Sequence, residues 1–482
     1  MVNLLVVSGS KREAFQYILI ARELVSRNIM THIVASRRHV YEFIKSKNWK
    51  HTILMTIKKP DVSKRIDLYQ YLIKYQNPTI AEMITSEQAV RNWDVNQRFL
   101  LLAQFLDAYE DYFDKHHIDI IMKFPTCSFA GRAAYAVAKR RNIPALIINT
   151  GPIITDTFTL NDIDEGWIWA AFFAEYDRKK VIRFEEKKFV DEAIDKIMLD
   201  KEKSIKVKKA NIKAIIFTLL LHVYHRCKGE LDYVERNEII KEILFLLGRM
   251  RPPVEYFKID KSKPYIFFPL HIPWDAQIAT RNSMFISQET VIEMLARSCP
   301  PGVDLYVKEH PYYAGGVNKR MLKNTKKFQM IKIVDPSISS VEMIRSAKVV
   351  VTINSTAGWE AILLKKPLVV LGSPFYAYFK HAYKVENINQ LPKVLNEAIC
   401  KGDSIYNDTN EWYDFLYSVV SSSHKGSMIF YKNYMGLGKD LGNERIKLLA
   451  NELEKEIRVL TINESQSSIQ QEEVIQKSKN VL

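Results

Sequence analysis

The sequence predicts two Rossmann-like α/β lobes joined by a helical bridge, with a cleft between them. Three observations carry that expectation: a β-α-β opening, a restart of the same alternation after residue 260, and an unbroken helical pattern between them. At the start, VNLLVV is an apolar run, Phe15, Ile18, Leu19 and Val25 fall on one helical face, and THIVA is apolar again. Residues 60–118 carry Tyr, Gln, Leu and charged side chains at helical spacing, as helices packed beside a sheet would. A second unit follows, with DIIM, the small-residue helix GRAAYAVAKRRN and, after Pro144, the strand ALII. From 185 to 247 the pattern stays helical until Pro252 and Pro253 break it. The alternation then resumes with YIFFP (265–269), a helix over 287–297, VDLYVK (303–308), QMIKIV (329–334), a helix over 341–346, KVVVTI (348–353), a helix over 356–364 and PLVVL (367–371). The expected boundaries are a first lobe over 1–184, the bridge over 185–258, a second lobe over 259–440, and a helix with a polar tail over 441–482.

Composition narrows the class. Of 482 residues 47% are hydrophobic and 26% charged, in the range of folded globular chains. An excess of 70 Lys and Arg over 55 Asp and Glu leaves a charge of +15, which favours anionic partners such as nucleotides or phospholipid headgroups. The basic residues are not interleaved with an aromatic stacking platform, so nucleic acid is not expected as a partner. Cys127, Cys227, Cys299 and Cys400 form no CxxC pair, which argues against a zinc site or a disulfide framework and for reduced thiols in the cytoplasm. The opening residues lack the layout of a secretion signal, and no apolar run approaches the ~20 residues of a membrane-spanning helix.

In an open α/β sheet the ligand lies beyond the carboxyl ends of the strands, so the loops after the second-lobe strands are the ones that matter. Three are distinctive: LHIPWDAQI after YIFFP, KEHPYY after VDLYV, and NSTAGWEA after KVVVTI. Asn354, Ser355 and Thr356 stand at a helix start, where they can cap the helix or hold an anion against its free N–H groups. Glu360, one turn on, can accept from a ribose or stand solvated. Lys308, His310 and Pro311 place a cation, an imidazole and a rigid turn after the neighbouring strand, as a phosphate grip or as an ordinary loop. Glu309, by alternation, is expected to point away. Asp275, with Gln277 beside it, is either a turn cap or a carboxylate able to act as nucleophile or base on a sugar carbon.

Together FFPLHIPWDAQI, YVKEHP and INSTAGWEAILLKKPLVVLG resemble the capsule polysaccharide synthesis family of bacterial glycosyltransferases, the group containing the Kps-type transferases. The likeness covers roughly residues 260–380, and the first lobe only in outline. It implies a GT-B fold and a metal-independent transferase that takes a CMP-activated sugar, usually Kdo, and needs no cofactor besides that donor. It implies that Asp275 is the nucleophile of a retaining transfer, with Gln277 beside it. Lys308, His310 and Pro311 would grip the CMP phosphate, and Ser355 and Thr356 would complete that grip; Asn354 and Glu360, from the same loop, stand beside them as candidates for holding the nucleotide. The implied acceptor is a lipid or lipid-linked glycan, and the implied place is the cytoplasmic face of the inner membrane.

Two positions depart from the family pattern. His271 stands where Gln is usual, and Asn149-Thr150-Gly151 lacks the acid commonly found before that glycine. Asp156, Asp162, Asp164 and Glu165 are nearby substitutes for it. Two other readings share the fold or the setting: a UDP-sugar epimerase or polyol-phosphate transferase, and a non-catalytic scaffold of glycan export. Finally, residues 201–228 hold eight Lys or Arg against the single acid Glu202, beside AIIFTLLL. Such a segment fits either an inter-lobe helix or an anionic membrane surface, where each cation contributes about 1 kcal/mol.

Overall fold

The computed structural model describes residues 1–55, 60–61, 63, 66–150, 157–161, 170–178, 181–202, 216, 219–220, 223–224, 256–313, 321, 323, 327–402, 406, 409–426 and 444–461. Among them the chain forms two sheets, each covered on both faces. The first contains β1 (Val2–Ser8), β2 (Ile29–Ala35), β3 (Thr52–Leu54), β4 (Ile120–Lys123), β5 (Ala145–Thr150) and β6 (Thr157–Asn161). β1 pairs in parallel with β2 on one side and β4 on the other, Leu4 lying against Thr31 and Ile120. The chain therefore reverses its progress across the sheet at β1, and a crevice opens between the loops after β1 and β4. β6 runs antiparallel to β5, a hairpin the strand pattern did not suggest.

Alternation sets the two faces. Leu5 and Val34 face the helices Val95–Lys115 and Phe129–Arg140, and Leu4 and Val6 face Lys11–Val25. The caps are ordinary and local. Ser10 accepts from Glu13 N at 3.2 Å, and Ser128 accepts from Gly131 N at 3.4 Å.

The second sheet contains β7 (Tyr265–Pro269), β8 (Asp304–Lys308), β9 (Ile331–Val334), β10 (Val349–Thr352), β11 (Leu368–Val370) and β12 (Tyr383–Lys384), all parallel, in the order β12-β11-β10-β7-β8-β9. Its strands are apolar on both faces, as the near-continuous runs YIFFP and KVVV require. The switch point lies between β7 and β10, which brings the loops LHIPWD and NSTAG side by side.

The lobe boundaries differ from expectation at both ends. Phe172, Val190 and Ile197 pack with Trp359 and Phe415 of the second lobe, so residues 170–178 and 181–184 belong there rather than with the first lobe. The chain also returns to the first lobe: β13 (His424–Lys425) pairs with β6. Helical residues 444–461 then place Ile446, Leu449, Leu453 and Ile457 against the first sheet. That apolar stripe has no partner along its own segment, and the open sheet face supplies one. The bridge over 203–215 and 225–255, and the tail over 462–482, lie outside the described residues.

Candidate active site

The three distinctive loops meet. Asp275, Gln277, Lys308, His310, Pro311, Asn354, Ser355, Thr356 and Glu360 all line one cavity of about 440 Å³ at the carboxyl ends of β7, β8 and β10. The nine residues assigned to the nucleotide-sugar site from the sequence are therefore in one place.

Each side chain is held for a local reason. Asp275 caps the short helix Ala276–Ala279, accepting from Gln277 N at 2.9 Å. Loss of hydration raises its carboxyl above the ordinary value, with the Gln277 N–H and the Arg281 guanidinium pulling the other way. Gln277 Oε1 accepts from Asn354 Nδ2 at 2.9 Å and from Arg281 Nη1 at 3.1 Å, which fixes the amide. Asn354 Oδ1 is buried and has no hydrogen-bond partner among the described residues.

Lys308 is only 3% exposed, and burial pulls its ammonium down to about 8, with the Glu360 and Asp335 carboxylates opposing that fall. His310 Nδ1 accepts from Tyr312 N at 3.2 Å, which leaves Nε2 as the protonated nitrogen of the neutral ring. Ser355 caps the helix Thr356–Leu363 by accepting from Ala357 N at 3.2 Å, and its own N–H donates to Thr352 Oγ1 at 3.0 Å. Tyr376 Oη donates to Ser355 O at 2.6 Å and lies against Gly358, where a Cβ would come within 2.5 Å of the ring. The helix start is thus pinned from behind, with its N–H groups and positive end directed at the cavity.

Several lining residues escaped the sequence reading. Glu309 does not point away: it is buried and lines this cavity, its Oε2 accepting from Tyr256 Oη at 2.9 Å. β8 ends at Lys308, so strand alternation no longer governs residue 309. Residues Pro336–Val341, after β9, complete the wall with three serines. His271 is buried and its Nε2 accepts from Asn354 N at 3.3 Å, while Gln288 clamps its backbone through bonds of 2.7 and 3.0 Å. Burial, aided by nearby His310, drives this imidazole down to about 3, so it stays neutral.

The first lobe closes over the same loop. Cys127 Sγ donates to Trp274 O, Thr280 Oγ1 donates to Thr126 O, and Arg281 Nη2 donates to Asn149 Oδ1. Asn149, in the run that lacks the expected acid, is therefore tied to the Asp275 loop. Asp156, Asp162, Asp164 and Glu165 lie outside the described residues. A second cavity of about 300 Å³ adjoins the first across His271, Glu309 and His310 and reaches Gln88 and Arg91 of the first lobe. Among the described residues no three His, Cys, Asp or Glu side chains converge as a metal-binding group.

Comparison with known proteins follows the same segment. Residues 190–380 match the family described as capsule polysaccharide biosynthesis protein. Protein FixF of Sinorhizobium fredii is 28% identical over 126 residues, which is 25% of this chain and 30% of that protein. The capsule polysaccharide export protein KpsS of Escherichia coli is 32% identical over 125 residues, 24% of this chain and 32% of that protein. The matched stretch thus spans about a third of each relative. Among solved structures, Thermosulfurimonas dismutans KpsC, beta Kdo 2,4 transferase, is 13% identical with a TM-score of 0.34, covering 58% of this chain and 79% of that one. The UDP-GlcNAc 2-epimerase of Neisseria meningitidis bound to UDP-GlcNAc is 12% identical with a TM-score of 0.26, covering 87% and 98%. The segment that builds the cavity is the segment that matches the capsule polysaccharide biosynthesis family, residues 190–380.

Proposed function

We propose that the protein is a glycosyltransferase of capsule or other surface polysaccharide assembly, transferring an acid sugar of the Kdo type from a CMP donor to a lipid or lipid-linked glycan at the cytoplasmic face of the inner membrane. One observation carries this reading: a carboxylate, two nitrogen bases and a helix start from three separate loops line a single polar cavity. The donor phosphate sits at the helix start with Lys308 and His310, which meet the charge that develops as it leaves. No cofactor besides the donor enters the scheme.

Asp275 attacks the anomeric carbon, the carbon–oxygen bond to the phosphate breaks, and CMP departs with that electron pair. The sugar is then held as an ester of Asp275. An acceptor hydroxyl attacks the same carbon and displaces the carboxylate. Its proton passes to the CMP phosphate, a monoester whose second ionisation lies near ~6. The neighbouring 300 Å³ cavity admits the acceptor from the first-lobe side.

A thermal-shift screen against CMP-, UDP- and GDP-sugars tests the donor, because a ligand that binds only the folded state raises its apparent stability. Stabilisation by CMP-sugar, with turnover abolished by Asp275→Asn, is the expected result. Stabilisation by UDP-sugars alone overturns the donor assignment, and turnover that survives Asp275→Asn overturns the role of Asp275.

A further inference from the structure

The proposed transfer moves a proton from an acceptor hydroxyl to the CMP phosphate, and the two ligands occupy different cavities. Leu270, His271, Glu309 and His310 line both the cavity of about 440 Å³ and that of about 300 Å³, so they form the wall the two share. A side chain that carries the proton across must face both sides, which leaves His271, Glu309 and His310. His271 is unsuited: its Nε2 already accepts from Asn354 N at 3.3 Å, and burial, with His310 nearby, drives the ring down to about 3. His310 is unsuited too. Its Nδ1 takes the Tyr312 N–H at 3.2 Å, so Nε2 is a donor in the neutral ring and in the charged one.

Glu309 remains. It is buried, and its Oε2 accepts from Tyr256 Oη at 2.9 Å, which fixes the carboxylate. Tyr256 is anchored beside β9, where the neighbouring Phe257 N donates to Ile333 O at 2.8 Å. Burial, and after it the Glu309 charge, push the Tyr256 hydroxyl above its ordinary value, so it stays a donor. Of the other acids on these walls, Asp275 and Glu360 line the first cavity alone and Glu289 the second alone.

We propose that Glu309 is the general base of the second half of the reaction and the proton relay between the two cavities. Its carboxylate takes the hydroxyl proton as the acceptor oxygen bonds to the anomeric carbon; the bond from that carbon to the Asp275 oxygen breaks, and its electron pair returns to Asp275. Glu309 then gives the proton to the CMP phosphate and is a carboxylate again. This deepens the glycosyltransferase reading and rests on it for the donor. It puts the base on the second lobe, where the run Asn149-Thr150-Gly151 of the first lobe offers none.

The test needs no acceptor, because water can take its place. Wild type and Glu309→Gln are mixed with CMP-Kdo, CMP is measured in quenched samples, and the protein is followed by intact mass. Continuous CMP formation is the expected wild-type result. Glu309→Gln should form a single equivalent of CMP per chain and then slow by at least about a hundredfold, with one sugar held at Asp275 and CMP affinity no weaker than that of the wild type. A Glu309→Gln protein that forms CMP continuously at the wild-type rate overturns the proposal, and so does one that binds CMP but forms no first equivalent. Should the amide prevent folding, Glu309→Asp decides: a sugar adduct visible in the steady state supports the base, and clearance at the wild-type rate with no adduct overturns it. A wild type that neither binds CMP nor forms it from CMP-Kdo overturns the transferase reading itself, and the relay with it.

Discussion

Arg281 joins the two lobes, donating through Nη2 to Asn149 Oδ1 at 2.9 Å and through Nη1 to Gln277 Oε1 at 3.1 Å. Gln277 in turn holds Asn354, so a displacement of the first-lobe strand end reaches the helix start at the 440 Å³ cavity through two side chains. Arg281→Met leaves the buried Asn149 oxygen without that donor and is expected to cost about 1–3 kcal/mol. Denaturant unfolding measures the loss. Turnover should fall more than CMP affinity, because the phosphate grip lies on the far side of Gln277.

Lys308 gives the site an alkaline limit. Its ammonium is pulled down to about 8, so below that pH it is charged and above it progressively neutral. CMP affinity should accordingly hold up to about pH 8 and decline beyond it. In Lys308→Arg the cation persists and the decline should vanish. Calorimetric titrations across pH 6–10 check this.

Asp275 gives the acid limit. Burial raises its carboxyl above the ordinary aspartate value, so protonation removes the proposed nucleophile at a correspondingly higher pH. The acid limb of kcat should therefore lie higher than that of an exposed aspartate, and a limb near pH 4 would contradict the assignment.

Gly358 permits Tyr376 to brace the helix start. A Cβ there meets two ring carbons and the hydroxyl oxygen of Tyr376 at 2.5 to 2.8 Å. Gly358→Ala should destabilise the second lobe by about 1–3 kcal/mol through overpacking and weaken CMP binding, and Tyr376→Phe should cost less because it crowds nothing and removes only the hydroxyl's hydrogen bonding to Ser355 O and Thr352. Thermal unfolding of the two variants ranks them.

In the first lobe Glu110 gathers Lys74, Tyr75, Arg140 and Arg141, which together outweigh the burial of its carboxyl and hold it down to about 2. With a folded value below the unfolded one, its contribution is present above the ordinary glutamate range and is lost as pH falls towards 2. Glu110→Gln should cost about 2 kcal/mol at neutral pH and flatten stability between pH 5 and 2, read by urea unfolding at each pH.

The candidate site was legible because its parts are local. A strand that ends in a chemically distinctive loop announces both its position and its chemistry, so Asp275, Lys308, His310 and Ser355 stood out before any pairing was known. Their convergence followed from the parallel topology, which puts all such loops at one edge. Glu309 and residues Pro336–Val341 were not legible, since strand periodicity says nothing about side-chain direction once the strand has ended. The Arg281–Asn149 contact joins residues 132 apart, and nothing local to either marks the other. The same holds for Ile446, Leu449, Leu453 and Ile457, whose stripe shows that a partner face exists but not which one.

Calorimetric titration of CMP into the wild-type protein and into the His310→Ala, Ser355→Ala double variant tests the central claim most directly. Saturable 1:1 binding by the wild type, weakened at least tenfold in the double variant, is the expected result. Absence of CMP binding, or equal affinity in both proteins, would contradict the assignment of the 440 Å³ cavity to a CMP donor.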